Sequence, residues 1–184
     1  MMDIGPEFNI KENFMLSPVT WFQVGGRADY FYKPKTVSEL QSFLKEYSNS
    51  FPITIIGACS NLIVRDNRVE GVVIKLGKDF TKIEMFSDNL IVSGAAVLDR
   101  TLAMFALENA RAGLEFFTTI PGSVGGAVAM NAGCYGFEVK DVLEWVECID
   151  FNGNIERIHV KDLKFDYRKT YLPENVIVIR AAFK

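Results

Sequence analysis

One stretch limits what this chain can fold into more than any other. Thr118-Thr119-Ile120-Pro121-Gly122-Ser123-Val124-Gly125-Gly126-Ala127-Val128-Ala129-Met130-Asn131-Ala132-Gly133-Cys134-Tyr135-Gly136 holds five glycines and no charged side chain. A solvated loop would carry charge, and an ordinary core segment would not carry so much glycine. Glycine adopts positive φ and lets another molecule approach the backbone closely, so small residues between glycines can leave bare amide N–H groups facing a ligand. Successive amides in such turns form anion-binding hollows, and a short helix opened by Ser123 would add its N-terminal dipole. A phosphate-bearing ligand is the expectation, with tight turns between packed elements as the plainer alternative. Two common phosphate loops are excluded, because neither a Gly-Lys-Ser/Thr ending nor a G-x-G-x-x-G is present.

Composition matters here for the rivals it removes. A net charge of −3 and a pI near 5.3 provide no basic stripe, so neither nucleic acid nor an acidic membrane is expected as a partner. Anionic ligands must then be met by local geometry. With 49% apolar residues in 184, the chain can bury one substantial core or two small lobes. The N-terminal MMDIGPEF lacks a basic region followed by an apolar run, and no apolar stretch approaches membrane-spanning length. A cytoplasmic location is expected. Cys59, Cys134 and Cys148 are odd in number and widely spaced, which argues for reduced thiols and against a disulfide framework or a metal site.

Taken in order, a polar leader precedes Ser17 to Arg27, where a hydrophobic alternation breaks at Gly25-Gly26. Ala28 to Lys33 reads as a strand stopped by Pro34, and Thr36-x-x-Glu39 as a capping box opening a helix that buries Leu40, Phe43, Leu44 and Tyr47. Pro52 to Ile56 is a short buried strand running into a second glycine loop, Gly57-Ala58-Cys59-Ser60-Asn61-Leu62. Its position at a strand end suits a ligand, although a plain turn explains it equally well on its own. Gly71 to Leu76, Lys82 to Phe86 and Leu90 to Ser93 suggest a largely antiparallel sheet. Val97 to Asn109 reads as a helix with Leu98, Leu102, Phe105, Ala106 and Asn109 on one face, closed by Gly113. Val142 to Phe151 and Ile155 to Val160 form a hairpin whose Asn152-Gly153 fits a type I′ turn. Asp162 to Tyr171 looks irregular, and Val176 to Phe183 is a final strand.

Two polar residues need weighing. His159, the sole histidine, alternates with Ile158 on a strand and has no nucleophile or ligand cluster beside it, so it reads as solvated rather than catalytic. Arg168, following Phe165 and Tyr167, could clamp a carboxylate through two hydrogen bonds. A surface arginine is the simpler account of it.

Taken together, the motifs Thr20-x-Phe22-x-Val24-Gly25-Gly26, Ile56 to Leu62, Gly113-Leu114-Glu115-Phe116, Ile120 to Ala127, Met130-Asn131-Ala132-Gly133 and Tyr167-Arg168 resemble, in order and approximate spacing, the UDP-N-acetylenolpyruvoylglucosamine reductase family. The resemblance runs from about Ser17 to the C-terminus. It implies an α+β fold: a two-lobed FAD-binding domain of the vanillyl-alcohol-oxidase (PCMH) type, with a leader at 1–16, a small α+β lobe at 17–76 and a larger lobe on a mainly antiparallel sheet at 77–184. FAD would lie between the lobes, bound non-covalently because no histidine occupies the loops concerned. The resemblance assigns cofactor contacts to Gly57, Ala58, Cys59, Ser60, Asn61 and Leu62, to Ile120, Pro121, Gly122, Ser123, Gly125 and Gly126, and to Asn131, Gly133 and Ile177. It assigns catalysis to Arg168, and substrate binding to Arg168 and Tyr167.

The implied reaction belongs to peptidoglycan precursor synthesis: NADPH reduces FAD, and hydride passes to UDP-N-acetylglucosamine enolpyruvate to give UDP-N-acetylmuramate. Three positions depart from the family pattern: Cys59 and Thr119 stand where glycine is usual, and Thr170 where serine is. The family's third domain, with its catalytic serine and glutamate, has no counterpart before Lys184, so this chain alone is expected to be inactive; its oligomeric state is left open, with a monomer favoured. The alternatives are a non-catalytic flavin- or nucleotide-binding module, or another FAD oxidase of the same superfamily.

Overall fold

The computed structural model describes residues 4–184, so the first three residues of the expected leader lie outside it. The rest of that leader is not a tail: Lys11–Met15 forms β1, which pairs antiparallel with β2 (Arg27–Tyr32). Helix α1 (Val37–Tyr47) follows, and its start is set by Thr36, whose Oγ1 accepts from the Glu39 amide at 3.1 Å. Leu40, Phe43, Leu44 and Tyr47 are its buried face, as the spacing predicts. Next come β3 (Ile53–Ile56) and β4 (Val69–Lys75), completing a sheet of order β1-β2-β4-β3.

Here one expectation is corrected. The strand at Gly71 to Leu76 does not join the antiparallel set; it lies between β2 and β3 and pairs with both in parallel. The reason is visible in its side chains, since Val72, Val73 and Ile74 are all buried. A continuous apolar run, rather than alternation, marks a strand covered on both faces.

A second sheet takes β5 (Ile83–Ser87) and β6 (Leu90–Gly94), and after them come α2 (Asp99–Glu108) and α3 (Val124–Ala129). The two-residue strands β7 (Gly133–Cys134) and β8 (Phe137–Glu138) precede α4 (Val139–Val142). Strands β9 (Leu143–Asp150), β10 (Ile155–His159), β11 (Lys164–Asp166), β12 (Lys169–Tyr171) and β13 (Val176–Phe183) complete the chain. The larger sheet has the order β10-β9-β13-β6-β5 and is antiparallel throughout.

Four further expectations are corrected in detail. Helix α2 buries Asp99, Leu102, Ala103 and Ala106 while Leu98 is 52% exposed, so its inward face is rotated. Its left-handed stop is Ala110 (φ 54) rather than Gly113, with the Arg111 amide returning to Ala106 O at 2.8 Å. The β9–β10 hairpin is present, but only Gly153 of Asn152-Gly153 has positive φ, and Asp150 accepts from the Gly153 amide. This is a three-residue loop with a left-handed glycine, not a type I′ turn. The segment read as irregular is a tight hairpin, β11–β12, with Tyr167-Arg168 at its tip and Arg168 at φ 56.

One core runs through both sheets, joining Tyr32, Leu40 and Phe43 to Phe80, Leu102, Phe117 and Phe183. A smaller cluster of Leu16, Ala28, Phe31, Ile56, Cys59 and Val73 covers the other face of the small sheet.

Candidate cofactor cleft

The two glycine loops meet. Strand β3 ends at Ile56, and a Cβ on Gly57 would collide with Ser123 Oγ. Ser123 is the residue before α3 and forms an isolated antiparallel bridge with Leu98, the residue before α2. The Val124 amide donates to Val97 O at 2.9 Å and the Gly125 amide to Ala95 O at 2.9 Å. These two amides are therefore spent on the protein, which corrects the expectation that the whole central stretch presents bare N–H groups. In the other loop the picture is reversed. Among the described residues, no protein acceptor lies within hydrogen-bond reach of the amides of Ala58, Cys59, Ser60 and Asn61. Cys59 is held at φ 57, a left-handed conformation that glycine adopts without penalty.

These loops wall a cleft of about 1040 Å³, lined by Gly57, Ala58, Ser123, Gly125, Gly126 and Ile177. Lys11, Lys33, Lys75 and Lys78 also line it, and none of its lining residues is Asp or Glu. In an acidic chain, that segregation points to an anionic ligand. Lys75 is half-buried; its Nζ donates to Val19 O at 2.9 Å. Burial pushes its pKa down, Cys59 opposes the shift and Lys33 adds to it. Cys59 is buried, which pushes its thiol up against the pull of Lys75. Gly126 faces open space, since a Cβ there would meet only Ser123 Oγ at 3.7 Å. Trp21, Phe14 and Phe31 supply flat apolar surface in the same cleft, the last two stacked at 4.2 Å. Uncharged backbone and cations lining one cleft fit the pyrophosphate of a dinucleotide cofactor.

The other expected residues fall in two places. Ser60, Asn61, Leu62, Ile120, Pro121 and Gly122 belong to the two loops without lining the cleft, as does the buried Cys59. Asn131, Gly133, Tyr167 and Arg168 form a separate cluster. Asn131 is fully buried, donates to Glu138 Oε2 (3.2 Å) and Asp166 O (3.3 Å), and accepts from the Lys140 amide (3.0 Å). Its amide is consumed by the protein. Arg168 is exposed and donates to Gly133 O at 2.9 Å, while Tyr167 is 80% exposed. Asn131 and Thr170, which donates to Val128 O, clamp this hairpin onto α3.

Sequence reasoning missed two features. The lysines come from β1, the ends of β2 and β4 and the turn after β4, so nothing in their spacing announces a cluster. Asp99 was missed too: it is fully buried, and neither carboxylate oxygen has a partner among the described residues. Burial pushes its pKa up to about 7. A charged residue closing the apolar run Ala95 to Leu98 was the available signal, and it reads first as an ordinary helix-start acid. Among the described residues no group of three or more His, Cys, Asp and Glu could hold a metal ion, and no helix is long and apolar enough to cross a membrane.

Comparison with known proteins agrees with this geometry. The FAD binding domain family matches residues 28–159. The UDP-N-acetylenolpyruvoylglucosamine reductase of Rickettsia canadensis (strain McKiel) is 45% identical over 174 residues, covering 95% of this chain and 59% of that protein. The protein of the same name from Rickettsia massiliae (strain Mtu5) is 47% identical over the same span. The chain thus covers about three-fifths of the length of these curated relatives. Among solved structures, the UDP-N-acetylenolpyruvylglucosamine reductase of Thermus caldophilus superposes with a TM-score of 0.82 at 34% identity, over 93% of this chain and 60% of that one. p-Cresol methylhydroxylase, with a TM-score of 0.60 at 19% identity over 93% of this chain and 37% of that one, shares the fold alone. The expected α+β FAD-domain architecture is the one observed.

Proposed function

The chain belongs to the FAD binding domain family and corresponds to the FAD-binding part of UDP-N-acetylenolpyruvoylglucosamine reductases, and from that premise we propose that its cleft holds FAD non-covalently for the reduction of an enolpyruvyl UDP-sugar. The observation that carries this reading is the cleft wall: two uncharged glycine loops in contact share one cleft with four lysines and no carboxylate. The Ala58 amide would donate to the pyrophosphate, and Lys33 and Lys75 would neutralise it. His159, on edge strand β10, is not among the cleft residues, which supports a non-covalent cofactor.

FAD supplies hydride transfer, with NADPH as its reductant in this reading; the protein supplies position and electrostatics. Arg168 would stabilise the negative charge that develops on the substrate's carboxylate during reduction, a role that grows in a water-poor site. Tyr167 would lie beside it on the same turn. A flavin-binding module without turnover is the second reading, favoured by the exposure of Arg168 and by its hydrogen bond to Gly133 O.

Titrating the chain with FAD tests the proposal. Saturable quenching of flavin fluorescence, with all flavin released on acid denaturation, is expected. Gly126→Val should weaken binding at least tenfold while leaving thermal unfolding nearly unchanged, because its Cβ enters the cleft and not the core. Absence of saturable binding at any protein concentration would sink the reading.

A further inference from the structure

Asp99 has no role in the reading above, and its surroundings are unusual. Its carboxylate is fully buried with both oxygens unpartnered. It packs against the central glycine loop: a Cβ on Gly122 would collide with Asp99 Oδ2 and stand 3.7 Å from Ser60 Oγ. Its own amide donates to Gly122 O at 3.2 Å, which fixes the start of α2 against that loop. The carboxyl group therefore occupies the junction of both glycine loops, screened from solvent and within a short side-chain movement of the Ser60 hydroxyl.

We propose that Asp99 is a positioning residue for the cofactor loops: on FAD binding its carboxyl turns to donate to Ser60 Oγ, a contact not made in this structure, and Ser60, two residues beyond the lining residue Ala58, turns its hydroxyl proton toward a phosphate oxygen of FAD. The inference rests on the FAD reading of the cleft. An ionised Asp99 can only accept; it would draw the Ser60 proton away from the phosphate and place a second negative charge behind the loop that holds it. FAD retention is then coupled to one proton.

The electrostatic surroundings agree. Burial alone raises this carboxyl to about 7, with no charged neighbour contributing. Arg100, next on the same helix, is exposed; Cys59, on the facing loop, interacts with Lys75; and the segment from Ile120 to Ser123 and helix α3 carry no titratable side chain. The positive end of α2 favours ionisation, and burial outweighs it.

The test is the FAD dissociation constant of the whole chain from pH 5.5 to 8.5. Wild type should bind at a constant level below about pH 6.5 and weaken above about pH 7, approaching tenfold per pH unit for one coupled proton. Asp99→Asn, whose amide donates at every pH, should hold the low-pH affinity up to pH 8.5. Asp99→Leu should bind weakly throughout, and His159→Asn should keep the wild-type slope. Should the Asp99 variants fail to fold, calorimetry of wild type at pH 8 in two buffers of different ionisation enthalpy decides: proton uptake on FAD binding is expected. A flat wild-type profile, an unchanged slope in Asp99→Asn or zero proton uptake overturns the inference while leaving FAD binding intact. No FAD binding at any pH overturns the cleft assignment and this inference with it.

Discussion

Two carboxylates are buried among the described residues, and the molecule treats them in opposite ways. Glu147, on β9, an interior strand of the larger sheet, is 7% exposed and gripped by two arginines. Arg157 donates to Oε1 from Nε (3.0 Å) and Nη2 (2.7 Å), and Arg180 reaches both carboxylate oxygens from the neighbouring strand. Burial would raise its pKa, but the hydrogen bonds from Arg180 and Arg157 reverse the shift and hold it below the usual glutamate value. Both guanidiniums also lie over the Trp145 ring. A register shift in β13 between Val178 and Arg180 turns Arg180 outward toward them. Asp99 has none of this. The scaffold satisfies its buried charge, whereas the cleft region leaves one unsatisfied, and an unsatisfied buried group costs stability. Such a cost persists where the group serves something other than folding.

The largest effect should come from removing that difference at the cleft. Asp99 ionises at about 7 in the folded chain and near 3.9 when unfolded. Between those values the folded state keeps a proton that the unfolded state releases, so stability falls as pH rises from about 4 to about 7 and is level above. The whole window is worth on the order of 4 kcal/mol. Asp99→Asn should flatten the decline and be more stable than wild type at pH 8 by roughly 2–4 kcal/mol in urea unfolding. Equal stabilities at pH 8 would mean that Asp99 has a partner in solution.

At the sheet the sign reverses. Glu147 has a depressed pKa, so its contribution is present at neutral pH and lost as pH falls through the folded value. Glu147→Gln should cost about 1–2 kcal/mol at pH 7, less than a fully buried pair because both arginine side chains are more than 40% exposed. The gap between wild type and variant should close as pH falls through the folded value, below the ordinary glutamate pKa of about 4.3. A gap that never narrows on acidification would show that packing, not charge, is what Glu147 contributes.

What could be read in the sequence follows the same division. Elements whose residues answer local rules were legible: Thr36 caps α1, and Leu40, Phe43, Leu44 and Tyr47 face inward. Features that depend on distant partners were not. Val72 to Ile74 differ little from an antiparallel strand until β2 and β3 are seen on either side. Asn131 looks like a ligand contact in its glycine-rich setting, yet its three hydrogen bonds go to Glu138, Lys140 and Asp166. Asp99 is ordinary in sequence because the helix start that explains an acid there is real; only the packing of Gly122 against it reveals that the acid is sealed away.

The cations extend the comparison and give its smallest effect. On the sheet, Lys184 pairs with Glu144 at 2.9 Å in an exposed bridge, whereas no carboxylate lines the cleft together with its lysines. Lys75→Met would remove one of those charges, release its bond to Val19 O and relieve the repulsion from Lys33. The last two effects partly cancel in stability, so the loss should appear mainly in FAD affinity, by roughly three- to tenfold at low salt. Raising ionic strength should narrow the gap between variant and wild type, because a charge at the mouth of a cleft is partly screened. Lys184→Met should leave FAD affinity unchanged and alter stability by no more than about 0.5 kcal/mol. If the two variants lose FAD affinity equally, the segregation of cations into the cleft is incidental and the ligand is held by backbone amides alone.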